Sequence, residues 1–171
     1  MFAKIDHTNF PPKRHTLVWD GTCGFCKFWK TRWELKTRNT INYVTYQNVA
    51  DDFPDIPIKE FKKASRLIES DGRVYSGPDS AYRSLFHSGK QHWHSWYRHN
   101  KLFRKLSDIG YNHIAKHRSF YYKLTIFCLG KNPKNLTHYW ILYLIIFLGI
   151  GISSAYIFWY FLFNNLTLKL Y

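Results

Sequence analysis

The sequence predicts an α/β domain, then a basic helical extension, then one C-terminal helix of membrane-crossing length. Three observations carry this reading. A buried-strand pattern runs directly into a helical pattern over 16–36, an Asp-Gly pair joins two short strands over 66–75, and the 25 residues from Tyr139 to Phe163 carry no charge. At 171 residues the chain has room for one domain of ordinary size and an appendage. Aromatic residues make up 20% and charged residues 21%, a composition suited to a packed core and not to a disordered chain.

Residues 1–15 read as an irregular lead-in closed by Pro11-Pro12. Thr16-Leu17-Val18-Trp19 is a short apolar run suited to a buried strand, and Asp20-Gly21-Thr22 is a turn. Beyond it Phe25, Phe28, Trp29, Arg32 and Trp33 recur at helical steps, which predicts a helix over 24–36. Ile41 to Tyr46 is β-branched and aromatic, hence a strand; Pro57 to Ala64 reads as a short helix opened by proline. Arg66-Leu67-Ile68-Glu69 and Arg73-Val74-Tyr75 flank Asp71-Gly72, a pair that supplies the positive φ of a tight hairpin. Gly77-Pro78-Asp79-Ser80 then opens a helix through about Phe86. Strand, helix, strand, helix, hairpin, helix is the order of a thioredoxin-like fold. Trp29 and Trp33 are expected in its core.

Lys and Arg number 25 against 11 Asp and Glu, and Asp108 is the last acid in the chain. Such an excess attracts polyanions, either nucleic acid or the anionic cytoplasmic leaflet. The stretch 91–130 reads as helical and basic, and His92 to Lys105 interleaves aromatics with cations. That mixture can stack on single-stranded nucleic acid or seat at a headgroup surface. The uncharged run downstream favours the membrane. As a helix it extends about 37 Å, enough for a hydrocarbon core of about 30 Å, with Tyr139, Trp140, Trp159 and Tyr160 near its ends. Lys116, Arg118, Lys123, Lys131 and Lys134 precede it and Lys169 follows, so the N-terminal domain is expected in the cytoplasm. Residues 1–16 hold no apolar segment of the signal-peptide kind. The tripeptides at Asn135 and Asn165 that match a glycosylation pattern are read as chance.

Chemistry concentrates at Cys23-Gly24-Phe25-Cys26. Two cysteines at this spacing close a small disulfide ring or clamp a metal. Haem attachment requires His after the second Cys, where Lys27 stands. Structural zinc requires two more ligands; His92 and His94 are candidates, yet a helical His-x-His directs its rings apart. Placed between a strand and a helix, the pair reads as redox-active. Cys23 at the helix N-terminus becomes a stabilised thiolate, and Cys26, one turn in, resolves the mixed disulfide. Asp20 has two readings, a carboxylate that caps the helix or a proton acceptor for Cys26. Cys128, among Leu124, Ile126 and Leu129, reads as packing. No cofactor and no metal is expected.

Trp19-Asp20-Gly21-Thr22-Cys23-Gly24-Phe25-Cys26 resembles the DGxCxxC signature of the DCC family of thiol-disulfide oxidoreductases. Asp71 to Gly77 with Ala81 resembles that family's second block, and Ile114-Ala115-Lys116-His117-Arg118 its third. The resemblance covers about 16–125 and implies a thioredoxin-like fold with Cys23 and Cys26 as the redox pair and Asp20 as the motif acid. Where thioredoxins place a cis-proline opposite the pair, this sequence has Ser65.

The expected organisation is a lead-in (1–15), a thioredoxin-like core (16–90), a basic, membrane-proximal helical extension (91–134), a transmembrane helix (135–165) and a short tail (166–171). The expected function is that of a single-pass, membrane-anchored oxidoreductase acting on protein or small-molecule disulfides and dithiols beside an anionic membrane surface. The alternative is a non-catalytic thioredoxin-like subunit of a membrane protein complex; a nucleic-acid partner is not favoured.

Overall fold

Apolar side chains alternate along three strands and so build a core on both faces of one sheet. Strands β1 (Thr16–Trp19), β2 (Asn42–Thr45), β3 (Arg66–Ile68) and β4 (Val74–Ser76) lie in the order β2-β1-β3-β4. β1 runs parallel to β2 and antiparallel to β3, and β4 closes the hairpin with β3. Leu17, Leu67 and Tyr75 join Ile41 in one buried cluster, flanked by the half-buried Trp19, Trp33 and Tyr43. The intervening residues Val18, Ile68 and Val74 join Phe53, Ile56 and Phe61 on the opposite face. Each such buried aliphatic or aromatic side chain contributes about 1.5–3 kcal/mol through the apolar area it removes from water.

The computed structural model describes residues 1–167, with side chains described through residue 160. The tail expected over 166–171 lies outside the described residues from 168 on. Eight α-helices are described: α1 (Gly24–Thr37), α2 (Tyr46–Val49), α3 (Ile58–Lys63), α4 (Pro78–His87), α5 (Gln91–His99), α6 (Lys101–Lys116), α7 (Arg118–Leu129) and α8 (Tyr139–Thr167). The chain is a mixed α/β protein of thioredoxin-like type. A parallel pair needs a crossover, and α1 supplies it between β1 and β2. Gly72, at φ +87°, makes the hairpin turn that Asp71-Gly72 predicts. The second strand stops at Thr45 where the sequence pattern ran through Tyr46, which instead opens α2.

Two compact units divide the chain, Met1–Leu124 and the residues from Thr125 on. Within the first, the lead-in has no regular strand but is tied down. Val74 N–H donates to Asp6 O (2.9 Å), Thr8 N–H donates to Gly72 O (2.9 Å), and Phe2 and Thr8 are buried. A fully buried arginine anchors this arrangement. Arg66, on the inner strand β3, donates to Glu60 Oε2 (3.2 Å), Ala3 O (3.1 Å) and Ser76 Oγ, and Glu60 Oε2 also accepts the Ala3 N–H (2.8 Å). The basic stretch packs into the same unit: His94 and Tyr97 on α5 are buried, Tyr97 donates to Asp108 Oδ1 (2.7 Å), and Lys4 pairs with Asp108. Asn100 starts α6 as its N-cap, its side chain accepting the Phe103 N–H (2.9 Å).

In the second unit α8 is the one described helix long and apolar enough to cross a membrane, over Tyr139–Tyr160. Its 29 residues correspond to about 43 Å. Stacked rings of Phe127 and Tyr143, 4.4 Å apart, join α7 to α8. Cys128 is a half-buried free thiol on α7.

Candidate active site

Cys23 is itself the N-cap of α1. Its backbone is extended, and its sulfur accepts the Cys26 N–H at 3.1 Å, the role a Ser or Asp oxygen usually fills. The Cys23 N–H donates to Asp20 O (3.2 Å), so the turn after β1 fixes the sulfur at the helix start. No acidic residue stands in the first turn of α1 to oppose a negative charge there. Tyr122 packs over Gly24: a Cβ at Gly24 would lie 3.0 Å from its ring, so glycine admits the close approach.

The two thiols are pushed in opposite directions. Cys23 is held down at about 6, above all by the hydrogen bond from the Cys26 thiol. The Cys26 N–H and the Arg118 charge add to this, while burial and the Asp20 carboxylate oppose it. Cys26 is pushed up, because it is the donor in that hydrogen bond, is more deeply buried, and sits beside the Cys23 charge. This lowering favours the thiolate at Cys23 at neutral pH, where an ordinary cysteine is mostly protonated. The arrangement holds one nucleophile and one protonated partner within a single helical turn. That division of labour suits disulfide exchange.

Asp20 caps the turn rather than the helix. Its Oδ1 accepts from Thr22 N–H (3.2 Å), Thr22 Oγ1 (2.9 Å) and Gln47 Nε2 (3.1 Å). Its Oδ2 pairs with Arg118 Nη1 at 3.1 Å. The second Arg118 nitrogen donates to Lys62 O and Lys63 O, each at 3.0 Å, which ties the start of α7 to the end of α3. Motif reading did not single out Arg118 as a neighbour of the cysteine pair: in the sequence it stands in the third block and among the cations that precede the uncharged run, 98 residues from Asp20.

Beside the pair lies a cleft of about 250 Å³ walled by Trp19, Phe25, Trp29, Trp33, Phe61 and Tyr111, with Asp20, Cys26, Ser65 and Arg118 also lining it. Trp29 and Trp33, expected in the core, are half-buried, and Trp33 packs against the Leu17 cluster while both wall this cleft. Ser65, which the sequence has near the place of the thioredoxin cis-proline, lines the same cleft as Cys26. Its N–H donates to Tyr111 Oη (3.0 Å), and its hydroxyl lies 2.9 Å from Ser80 Oγ and 3.1 Å from Tyr111 Oη. His94 is buried while His92 is exposed, so the two rings of the His-x-His do not converge.

Among known proteins, the family model described as DCC1-like thiol-disulfide oxidoreductase matches residues 17–124. No curated protein and no solved structure matches the chain. The match spans the sheet, the cysteine pair and Arg118, and covers more than half of the sequence. The chain belongs to the family of DCC1-like thiol-disulfide oxidoreductases, whose substrates are dithiols and disulfides.

Proposed function

We propose that the protein is a membrane-anchored oxidoreductase that exchanges disulfides through Cys23 and Cys26 on the cytoplasmic side of a membrane. The observation that supports this most is the opposed pair of thiols, with the Cys23 sulfur stabilised at a helix N-terminus and Cys26 protonated behind it. In the proposed cycle the Cys23 thiolate attacks one sulfur of a substrate disulfide, whose other sulfur leaves as thiolate. Cys26 then loses its proton and its sulfur attacks Cys23, releasing the second substrate thiolate and closing the Cys23–Cys26 disulfide. Asp20 is the proposed acceptor of the Cys26 proton; it lines the same cleft as Cys26. Equilibration with mixtures of reduced and oxidised dithiothreitol tests the reading. Alkylation-tagged Cys23 and Cys26 are expected to vanish together in one two-electron transition, tenfold in ratio per about 30 mV. Independent or absent oxidation of the two thiols contradicts it.

Anchoring rests on α8, and orientation on the Lys and Arg that precede it. Exposed Leu102, Leu106 and Ile109 along α6, beside exposed Lys101 and Lys105, support an anionic membrane surface as the neighbour of the catalytic domain. Reporters fused to the two ends are expected to place Met1 in the cytoplasm and Tyr171 outside. A cytoplasmic reporter at Tyr171 contradicts the orientation, and with it the cytoplasmic placing of the cysteine pair.

A further inference from the structure

We infer that the cleft beside Cys26 seats the uncharged apolar arm of a small-molecule disulfide, and that such a compound, not a peptide, is the disulfide the cysteine pair reduces. The inference rests on the oxidoreductase reading and names the substrate class of that same site.

Four large aromatic residues, Trp19, Phe25, Trp29 and Trp33, are only half-buried, and all four line this one cleft together with Cys26. Trp19 ends β1, the other three stand on α1, and α6 adds Tyr111 and Ile114. Apolar surface left partly uncovered around a concave site is what an apolar guest completes. At about 250 Å³ the cleft is smaller than the roughly 300–1,000 Å³ of sites for drug-sized ligands. It suits one ring or a short aliphatic chain.

The charges at the cleft are already matched. Asp20, Lys30 and Arg118 line it, and Arg118 pairs with Asp20 (3.1 Å) while Lys30 pairs with Glu34 (2.8 Å). An anionic guest would compete with carboxylates in place and lose its own hydration, so an uncharged arm is favoured.

The backbone that an extended peptide would pair with is also occupied. Ser65 N–H donates to Tyr111 Oη (3.0 Å), Ser65 O accepts the Gly77 N–H (2.9 Å), and Ala64 N–H donates to Glu60 O (3.3 Å). The strand that follows, β3, lies between β1 and β4 and has a neighbour on each edge. Strand addition has no free partner at these positions, and main-chain hydrogen bonds are what give that mode its affinity. A compound held by its apolar arm needs none of them.

The step balances. The Cys23 thiolate attacks one sulfur of the small disulfide, and the other sulfur leaves as thiolate. The Cys26 sulfur then attacks Cys23, releasing the second arm and giving up its proton. One S–S bond breaks and one forms, two electrons pass to the substrate, and its halves leave as one thiol and one thiolate. A dithiol, the other substrate class of the family, reduces the pair again.

Three disulfides test this: bis(2-hydroxyethyl) disulfide, benzyl 2-hydroxyethyl disulfide, and the disulfide dimer of an end-blocked Gly-Cys-Gly peptide. The full chain, in lipid nanodiscs, is reduced, freed of reductant and mixed with each in turn without oxygen. Formation of the Cys23–Cys26 disulfide is followed, and each rate is divided by that of the same disulfide with dithiothreitol, which removes differences in intrinsic reactivity. The benzyl compound is expected to exceed bis(2-hydroxyethyl) disulfide by about tenfold, chiefly through a lower half-saturating concentration, and the peptide dimer is expected to be no faster than the latter. Trp29→Ala and Ile114→Ala, in the same nanodiscs, are each expected to cut the benzyl preference to about threefold or less. No benzyl preference in the wild type, a preference unchanged in both variants, or a peptide dimer that matches the benzyl compound overturns the inference. If bis(2-hydroxyethyl) disulfide still oxidises the pair, the oxidoreductase reading stands without it; if no disulfide does, both fall.

Discussion

Cys26→Ser is expected to accumulate a mixed disulfide through Cys23, and Cys23→Ser to accumulate none. The asymmetry follows from the geometry. With Cys26 replaced by serine, the Cys23 sulfur still caps α1 and still attacks, but nothing one turn away displaces the captured substrate. With Cys23 gone, the remaining thiol is still raised by its burial and lies one turn in from the helix N-terminus, so exchange is expected to drop by about a thousandfold or more, the scale on which loss of a nucleophile acts. Non-reducing gels with a tagged disulfide substrate read both outcomes. Equal trapping by the two variants would remove the assignment of roles.

Arg66→Met is expected to cost about 3–5 kcal/mol of folding stability. Arg66 is fully buried, and its guanidinium satisfies Glu60, the carbonyl of Ala3 and Ser76 at once. Methionine matches much of its volume but takes the buried cation from the Glu60 carboxylate, which keeps only the half-exposed Lys63 (2.7 Å), and removing one partner of a buried pair is worth that much. The lead-in loosens with it, because Ala3 is held through the same two side chains. Urea unfolding followed by tryptophan fluorescence measures the loss. The double variant Glu60→Gln with Arg66→Met is expected to recover part of it, since it removes the stranded charge.

What the sequence discloses and what it hides divide along physical lines. The strand into Cys23, the Asp71-Gly72 hairpin and the uncharged run into α8 are local patterns, and the structure has each of them. Asn100 is a local N-cap signal as well, yet it breaks what reads as one helical stretch into α5 and α6. Long-range partners leave no such trace. The Arg118–Asp20 pair joins residues 98 apart, and neither periodicity nor turn chemistry connects them. Docking of the lead-in depends on backbone groups of Asp6 and Thr8 meeting β4 and its turn, with only an isolated bridge between His7 and Arg73 to show as strand. Trp29 carries a core-like residue type at a helical step, so its place on a cleft wall shows only when the neighbouring elements are in position.

The central claim is that the Cys23 sulfur is a thiolate at neutral pH, and the pH dependence of its alkylation tests that most directly. With iodoacetamide in limiting exposure and mass spectrometry of the tagged peptide, the rate at Cys23 is expected to rise through a midpoint near 6 and to level off above about pH 7. Arg118→Gln is expected to move that midpoint upward, because it removes a cation that favours the thiolate. Cys26 in the same sample should stay slow across the range. A Cys23 midpoint at or above about 8.5, the value of an unperturbed cysteine, would contradict the account.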